Sequence, residues 1–142
     1  MKTVKQLLAD KSGELHTIPS ESRVIDALRM MAEHNVGALL VVDDGRLAGV
    51  ISERDYARKI ILQGKSSPET RVREIMTAQV TCVGPDKTAG ECMALMSNGH
   101  FRHLPVLDGD KLIGVLSIGD LVKEVIADQA QTIKHLETYI RT

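Results

Sequence analysis

The chain has 142 residues, a formal net charge of −1, and 43% hydrophobic, 26% charged and 2% aromatic residues. This length suits one compact module, and the near-neutral charge gives no overall field that would attract nucleic acid or an acidic membrane. One Phe, two Tyr and no Trp also make a stacking platform for single-stranded nucleic acid an unpromising interpretation. Two cysteines without a C-x-x-C pair, and no signal-peptide pattern or long apolar run, predict a reduced, cytoplasmic protein that does not enter a membrane.

Two short segments at the start of each half resemble each other. Val4-Lys5-Gln6-Leu7-Leu8 matches Val72-Arg73-Glu74-Ile75-Met76, 68 positions later. We call them the lead-in segments, because each precedes a longer repeated region. After each of them we expect a short extended segment, which contains Thr17-Ile18 in the first half and Cys82-Val83 in the second.

The spacing of apolar residues next predicts one helix in each half. The first helix has apolar residues at i, i+4 and i+7 from Val24, with Ser22 as its N-cap and Asn35 as its stop. A matching pattern of Ala89, Met93 and Met96 predicts the second helix, with Asn98-Gly99 as its stop.

Two β-hairpins follow these helices. Residues 38–51 and 103–116 are rich in aliphatic residues, and each range is interrupted by an Asp-Gly turn, at Asp44-Gly45 and Asp108-Gly109. Each hairpin runs into a further helix that begins at Ser52 or Ser117. The matched residues of the two hairpins are all 65 positions apart. Because each copy alone is too small to bury a good core, the repeat predicts one module made of two half-units.

The predicted fold class is therefore α+β, with two β-α-β-β-α repeats packed through their sheets with approximate two-fold symmetry and two equivalent clefts between them. The predicted boundaries are 1–65 for the first repeat with its lead-in, 66–127 for the second repeat, and 128–142 for a C-terminal helical extension.

One motif stands at the end of both hairpins. Gly49-Val50-Ile51-Ser52-Glu53-Arg54-Asp55 and Gly114-Val115-Leu116-Ser117-Ile118-Gly119-Asp120 resemble the CBS domain, a family named for cystathionine β-synthase whose members occur as tandem pairs, or Bateman modules. Phe101-Arg102-His103-Leu104-Pro105-Val106 is similar to a strand of that family that often carries basic residues. The resemblance extends from Val4 to about Val125.

The Ser/Asp pairs of this motif have two physical interpretations that can coexist. A Ser with an acidic residue three positions later forms a capping box at a helix start. The same helix start favours anions such as phosphate, and a carboxylate can accept hydrogen bonds from the vicinal hydroxyls of a ribose. A single copy favours the cap, whereas two copies within the family pattern favour a ligand site.

The resemblance implies an adenosine-based ligand, such as AMP, ADP, ATP, NAD or S-adenosylmethionine. Asp55 and Asp120 would bind ribose, Arg54 and the Arg102-His103 pair would approach phosphate, and the backbone of the extended segments would read adenine. In the first copy Gly37 and Ala38 replace the basic pair. The full set of expected nucleotide-binding residues is Thr17, Ile18, Gly37, Ala38, Ser52, Arg54, Asp55, Cys82, Val83, Phe101, Arg102, His103, Pro105, Ser117 and Asp120.

The functional prediction is a regulatory sensor of an adenosine nucleotide, which acts on an effector protein that the sequence does not identify. No catalytic residue or catalytic cofactor is expected, since no nucleophile, base and orienting group stand together. The alternatives are an interaction module with empty clefts and an enzyme that uses the bound nucleotide. No metal site is expected, because His100 and His103 lack a third ligand. Cys82 and Cys92 are interpreted as small core residues.

The C-terminal helix carries an apolar stripe with 4-3-4-3-4 spacing. Its positions are Val122, Ile126, Gln129, Ile133, Leu136 and Ile140. The stripe could pack back on its own module or join two copies, and we expect the second arrangement, a homodimer.

Overall fold

The computed structural model describes residues 1–11 and 15–141. Its helices are α1 (Val4–Asp10), α2 (Val24–His34), α3 (Glu53–Tyr56), α4 (Val72–Ile75), α5 (Ala89–Gly99) and α6 (Ile118–Arg141), and a π-helical segment, Ala57–Ile61, follows α3 directly. The strands are β1 (Thr17–Ile18), β2 (Ala38–Asp43), β3 (Arg46–Ser52), β4 (His103–Asp108) and β5 (Lys111–Ser117). The predicted α+β class and both hairpins are confirmed.

The chain forms two compact units. In its described residues, unit 1 contains 1–11, 82–109 and 113–141, and unit 2 contains 15–81 and 110–112. Helix α1 therefore lies in the unit of α5 and β4, and helix α4 lies in the unit of β1, β2 and β3. Each lead-in segment belongs to the unit built from the other copy of the repeat.

Unit 2 is built on a three-stranded sheet in the order β1-β2-β3. Strand β1 runs parallel to β2, and β2 runs antiparallel to β3 with Ala38 opposite Ser52. Positive φ angles of 50° at Asp44 and 77° at Gly45 give the tight turn between β2 and β3. The core consists of aliphatic residues from the sheet, α2, the π-helical segment and α4: Ile18, Val24, Ala27, Met31, Leu39, Val41, Ile51, Ile60, Val72 and Ile75.

Unit 1 has the two-stranded sheet β4-β5, and its extended segment forms only an isolated parallel bridge between Val83 and Val106. The Val83 N–H donates to the Pro105 carbonyl at 3.1 Å, and the Val83 carbonyl accepts from Leu107 N–H at 2.9 Å. Pro85, two residues later, has no N–H with which to continue the ladder. Cys92 is fully buried in the core of this unit, as predicted. The same prediction is wrong for Cys82, which is half-buried and lies outside the core cluster.

Equivalent backbone hydrogen bonds fix the lead-in segments in the two units. In unit 2 the Val72 N–H donates to the Ser22 carbonyl at 2.8 Å, and in unit 1 the Val4 N–H donates to the Lys87 carbonyl at 2.7 Å. Ser22 and Lys87 are 65 positions apart, while Val4 and Val72 are 68 apart. The repeat symmetry therefore includes the exchanged lead-in segments.

The exchanged segments explain the glycine that opens each repeated motif. A β-carbon at Gly49 would lie 2.5 Å from the Thr77 carbonyl oxygen, and one at Gly114 would lie 2.7 Å from a methyl carbon of Leu8. Val50 and Thr77 also exchange two backbone hydrogen bonds, of 3.0 and 2.9 Å. Only glycine lets the residues after α4 approach strand β3 this closely.

The predicted cap of helix α2 is wrong. Arg23 occupies the N-cap position without a side-chain cap, and the Ser22 carbonyl accepts from Val72 instead. The N–H groups of Val24 and Ile25 have no partner within the helix. They donate instead to the carbonyls of Thr70 and Ser67, at 2.8 and 3.2 Å. Tertiary structure therefore replaces the side-chain cap.

The predicted end of α2 is confirmed, because Asn35 adopts the left-handed conformation with φ 54°. Helix α5 ends one residue later than expected, with His100 in the same conformation at φ 57°.

Helix α6 is buried only near its start, where Leu121 and Glu124 lie inside. Every described residue from Gln129 onward is exposed, including Ile133 and Leu136 at 57% each. The alternative that the apolar stripe packs on its own module is therefore wrong. No helix in the described part of the chain combines the length and the apolar character needed to cross a membrane.

Candidate functional site

In unit 2, the predicted Ser/Asp pair lies where β3 passes into α3. The Ser52 N–H donates to Asp55 Oδ2 at 3.0 Å, and the Asp55 N–H donates to Ser52 Oγ at 3.2 Å. These bonds form a capping box, so the structural interpretation of the pair is confirmed. The Glu53 N–H donates to the Gly37 carbonyl at 3.0 Å, which fixes this junction beside the start of β2.

Unit 1 repeats this geometry at the junction of β5 and α6. The Ser117 N–H donates to Asp120 Oδ2 at 2.8 Å, and the Asp120 N–H donates to Ser117 Oγ at 3.2 Å. The Ile118 N–H donates to the Arg102 carbonyl at 2.8 Å, matching the bond from Glu53 to Gly37. Each unit therefore holds one aspartate at a helix start, next to the beginning of a strand.

Backbone pairing links the predicted segments within each unit. In unit 2 the pairing of β1 with β2 and of β2 with β3 joins Thr17, Ile18, Ala38 and Ser52 in one sheet. In unit 1 the bridge at Val83 and the bond at Arg102 join the equivalent segments.

Several predicted site residues have their side chains in the cores. Ile18 and Val83 are core members, Pro105 is buried, and Phe101 packs against the core of unit 1. The side chains of Ile18 and Val83 are therefore not available to a ligand, whereas Thr17 and Cys82 are half-buried. The N–H of Val83 is already paired with Pro105, so the adenine-reading role expected of that group does not fit the structure.

The basic residues differ in exposure and in charge. Arg54 and Arg102 are exposed, whereas His103 is half-buried. Burial lowers the pKa of His103, the Lys11 charge lowers it further, and Arg102 adds to this effect against the opposing influence of Asp120. His103 is therefore mainly neutral near pH 7 and offers a ligand a hydrogen bond more than a charge.

Two lysines that the sequence interpretation missed contact the aspartates. Lys59 Nζ lies 3.3 Å from Asp55 Oδ1, and Lys11 Nζ lies 2.9 Å from Asp120 Oδ2. Lys59 follows Asp55 by four positions on a helical segment, so the i,i+4 rule could have found it. Lys11 precedes Asp120 by 109 positions and reaches it only because α1 packs in unit 1, so no local pattern could have indicated it.

The Asp120 carboxyl remains ionised although it is partly buried. Burial acts to raise its pKa, but hydrogen bonds from the Ser117 backbone and from Lys11 outweigh that effect and leave the pKa below its usual value. Among residues 1–11 and 15–141, no group of three or more His, Cys, Asp or Glu side chains is placed to hold a metal ion.

Comparison with known proteins agrees with this duplicated architecture. The family model for the CBS domain matches residues 4–62 and again residues 72–127, so the chain belongs to the CBS domain family. Because the family model matches twice, and because the structure has two equivalent junctions, the chain is a tandem CBS module. Such domain pairs are regulatory modules.

Two similar proteins are also CBS domain-containing proteins. A mitochondrial CBS domain-containing protein of Arabidopsis thaliana, CBSX3, is 42% identical in an alignment of 127 residues that covers 86% of this chain and 62% of the relative. The chain thus spans less than two thirds of that protein. YhcV of Bacillus subtilis, also a CBS domain-containing protein, is 28% identical over 92% of this chain and 90% of its own length.

Solved structures show the same fold. A CBS-domain protein from Burkholderia ambifaria is 56% identical, with a TM-score of 0.86 over 90% of this chain and 96% of its own. The CBS domain pair of protein MJ0100, solved with 5′-methylthioadenosine and S-adenosyl-L-methionine, is 26% identical, with a TM-score of 0.78 over 89% of this chain and 98% of its own.

Proposed function

We propose that this protein is a cytoplasmic regulatory sensor that binds an adenosine nucleotide such as AMP, ADP, ATP or NAD. The observation that carries the proposal is the pair of equivalent junctions, in which Asp55 and Asp120 are fixed at helix starts beside the beginning of a strand, β2 in unit 2 and β4 in unit 1. The adenosine ligands of the MJ0100 domain pair support it.

The aspartates are the proposed ribose acceptors. Each carboxylate is oriented by the backbone N–H of the preceding serine, at 3.0 Å for Asp55 and 2.8 Å for Asp120, so little side-chain freedom is lost when a ligand binds. Ribose hydroxyls can donate to the carboxylate lone pairs, as the Lys11 ammonium group does to Asp120. The capping and ribose-binding roles are compatible in one residue.

The arginines are the proposed phosphate partners. Arg54 lies in the first turn after the junction of unit 2, and Arg102 accepts the junction hydrogen bond of unit 1 through its carbonyl. Both side chains are exposed and can reach a charged ligand group at the anion-favouring end of a helix.

Regulation would follow from a shift in population. A ligand that binds one conformation better than another raises the population of that conformation, and an effector protein would recognise it. The rival proposal of an enzyme has less support, because no pattern in the sequence sets a nucleophile beside a base and an orienting group, and burial raises the pKa of the Cys82 thiol. The other rival, an interaction module with empty clefts, predicts that no nucleotide binds in the titration described below.

Isothermal titration of the ligand-free protein with AMP, ATP, NAD and S-adenosylmethionine tests the proposal. We expect binding of at least one of them, and Asp55→Ala and Asp120→Ala should each weaken it by about 1–3 kcal/mol through the lost ribose acceptor. Asp110→Ala, which changes an exposed turn aspartate, is the control and should bind as the wild type does. Unchanged affinity in both site variants would reject the role of these aspartates.

A further inference from the structure

We propose that Lys11 is a specificity-determining residue of unit 1. Its ammonium group pairs with Asp120, and it exchanges this partner for the phosphate when a phosphorylated ligand binds. This inference rests on the proposed nucleotide binding and extends it, since it makes the site select phosphorylated adenosines over plain adenosine.

The first support is that the Lys11 side chain starts from a fixed position. Its backbone N–H caps the C-terminus of α1 with bonds of 3.1 and 3.3 Å to the Leu7 and Leu8 carbonyls. At the other end of α1, Thr3 forms a capping box and Val4 donates to Lys87. The lysine is therefore presented to the site by a helix that is held at both ends.

The second support is that the ammonium group has two specific acceptors at the junction. Lys11 Nζ donates to Asp120 Oδ2 and to the Val115 carbonyl, both at 2.9 Å. Asp120 Oδ2 is also the atom that accepts from the Ser117 backbone. Lys11 thus takes one oxygen of the carboxylate that we assign to the ribose, and a ligand that uses this oxygen must compete with it.

The chemistry of that competition favours a charged ligand. A plain nucleoside offers only neutral hydroxyls in exchange for an ion pair, and it leaves the ammonium group without an anion. A nucleotide replaces the carboxylate with a phosphate, to which lysine makes a charge-assisted hydrogen bond. Lys11 should therefore weaken the binding of adenosine and strengthen the binding of AMP.

The electrostatics around Asp120 point the same way. Lys11 and Arg102 both lower the pKa of His103, and Asp120 opposes them, so these groups act on one another at a single location. Two permanent cations with one carboxylate leave net positive charge there. That charge attracts a phosphate group.

Unit 2 lacks a lead-in lysine at the equivalent place. The residue 68 positions after Lys11 is Gln79, and Asp55 is contacted instead by Lys59, which also donates to the Ile75 carbonyl at 2.9 Å. The predicted discrimination by Lys11 is thus a property of unit 1, and binding in unit 2 can be weakened by substitution of Asp55 when it is measured.

The experiment compares Lys11→Met with Lys5→Met in an Asp55→Asn background, so that titration heats report unit 1. Lys5 is an exposed lysine of the same helix. The parent should bind AMP more tightly than adenosine. Lys11→Met should lower the preference for AMP over adenosine by about tenfold or more, the size of one charge-assisted contact, and Lys5→Met should leave it unchanged. Lys11→Arg should retain most of the preference.

An unchanged ratio in Lys11→Met, with binding intact in the parent, would overturn this inference alone. If the wild-type protein bound neither ligand, this inference would fail, and the proposed function would fail with it only if ATP, NAD and S-adenosylmethionine were not bound either. Circular dichroism establishes that each variant is folded, and Lys11→Gln serves as a second uncharged variant. If both uncharged variants unfold, Lys11 is a structural residue and the inference is wrong.

Discussion

The aspartate at each junction stabilises the fold in addition to its proposed role in binding. Asp120 accepts from the Ser117 backbone and pairs with Lys11, and Asp55 makes the equivalent cap and pairs with Lys59. Substitutions at these residues therefore change both stability and binding, and only the comparison of ligands separates the two effects.

The lowered pKa of Asp120 leads to a prediction about acid stability. Because the folded-state pKa lies below the ordinary value of 3.8, ionised Asp120 stabilises the fold above that value and loses this contribution as the pH falls through the folded-state pKa. Urea unfolding should show wild type more stable than Asp120→Asn at pH 7, and the difference should shrink below about pH 4. A difference of the same size at both pH values would show that ionisation of Asp120 is irrelevant.

Arg102 provides a second prediction at this scale. Its exposed guanidinium should contact the ligand phosphate in unit 1, and a contact of this type contributes about 1.5–3 kcal/mol. Arg102→Ala should therefore weaken AMP binding by about 10–100-fold while adenosine binding changes little. Titration calorimetry measures both ligands, and Arg46→Ala, an exposed arginine at the start of β3, is the control. An equal loss for both ligands would make Arg102 a structural residue.

Among the elements, the lead-in segments do most to shape the two units. Each one packs in the unit of the other repeat and fixes the strand that ends in the Ser/Asp junction. This exchange brings Lys11 to the Val115 carbonyl and Thr77 to Asp55. It also explains why glycine is required at positions 49 and 114.

The glycine pair offers a matched test of this packing. Gly49→Ala should destabilise the protein by about 1–3 kcal/mol, because its β-carbon would meet the Thr77 carbonyl, which is backbone and cannot easily move. Gly114→Ala should cost less, since the Leu8 side chain that it meets can change rotamer. Urea unfolding curves give both values. If Gly49→Ala were the milder of the two, the close approach of Thr77 would not be a real constraint.

The elements also show how far sequence patterns reach. The hairpins could be predicted because Asp-Gly turns between aliphatic runs are local signals, and the left-handed end of α2 at Asn35 is equally local. The cap of α2 and the contacts of Lys11 could not, since they depend on segments distant in the chain. The π-helical turn at Ala57–Ile61 likewise has no pattern in its residues that distinguishes it from an α-helix.

At the scale of the whole molecule, the exposed stripe on α6 supports a homodimer. Ile126, Ile133, Leu136 and Ile140 are each more than half exposed, and an apolar patch of this kind usually marks an interaction site. Ile133→Lys should shift the protein toward monomer in sedimentation velocity. Gln131→Lys adds the same charge to the same helix outside the stripe and should leave the assembly unchanged. A dimer that persists in Ile133→Lys would place the interface elsewhere.

Nucleotide binding itself is tested most directly by thermal unfolding of the ligand-free protein. A ligand that binds only the folded state at 100 times its Kd stabilises that state by about 2.7 kcal/mol, which corresponds to a rise in Tm of about 5–10 °C for a domain of this size. We expect such a rise with at least one of AMP, ATP, NAD and S-adenosylmethionine, and a smaller one in Asp55→Ala and Asp120→Ala. No shift with any of the four, in protein shown by mass spectrometry to carry no bound nucleotide, would contradict the proposed function.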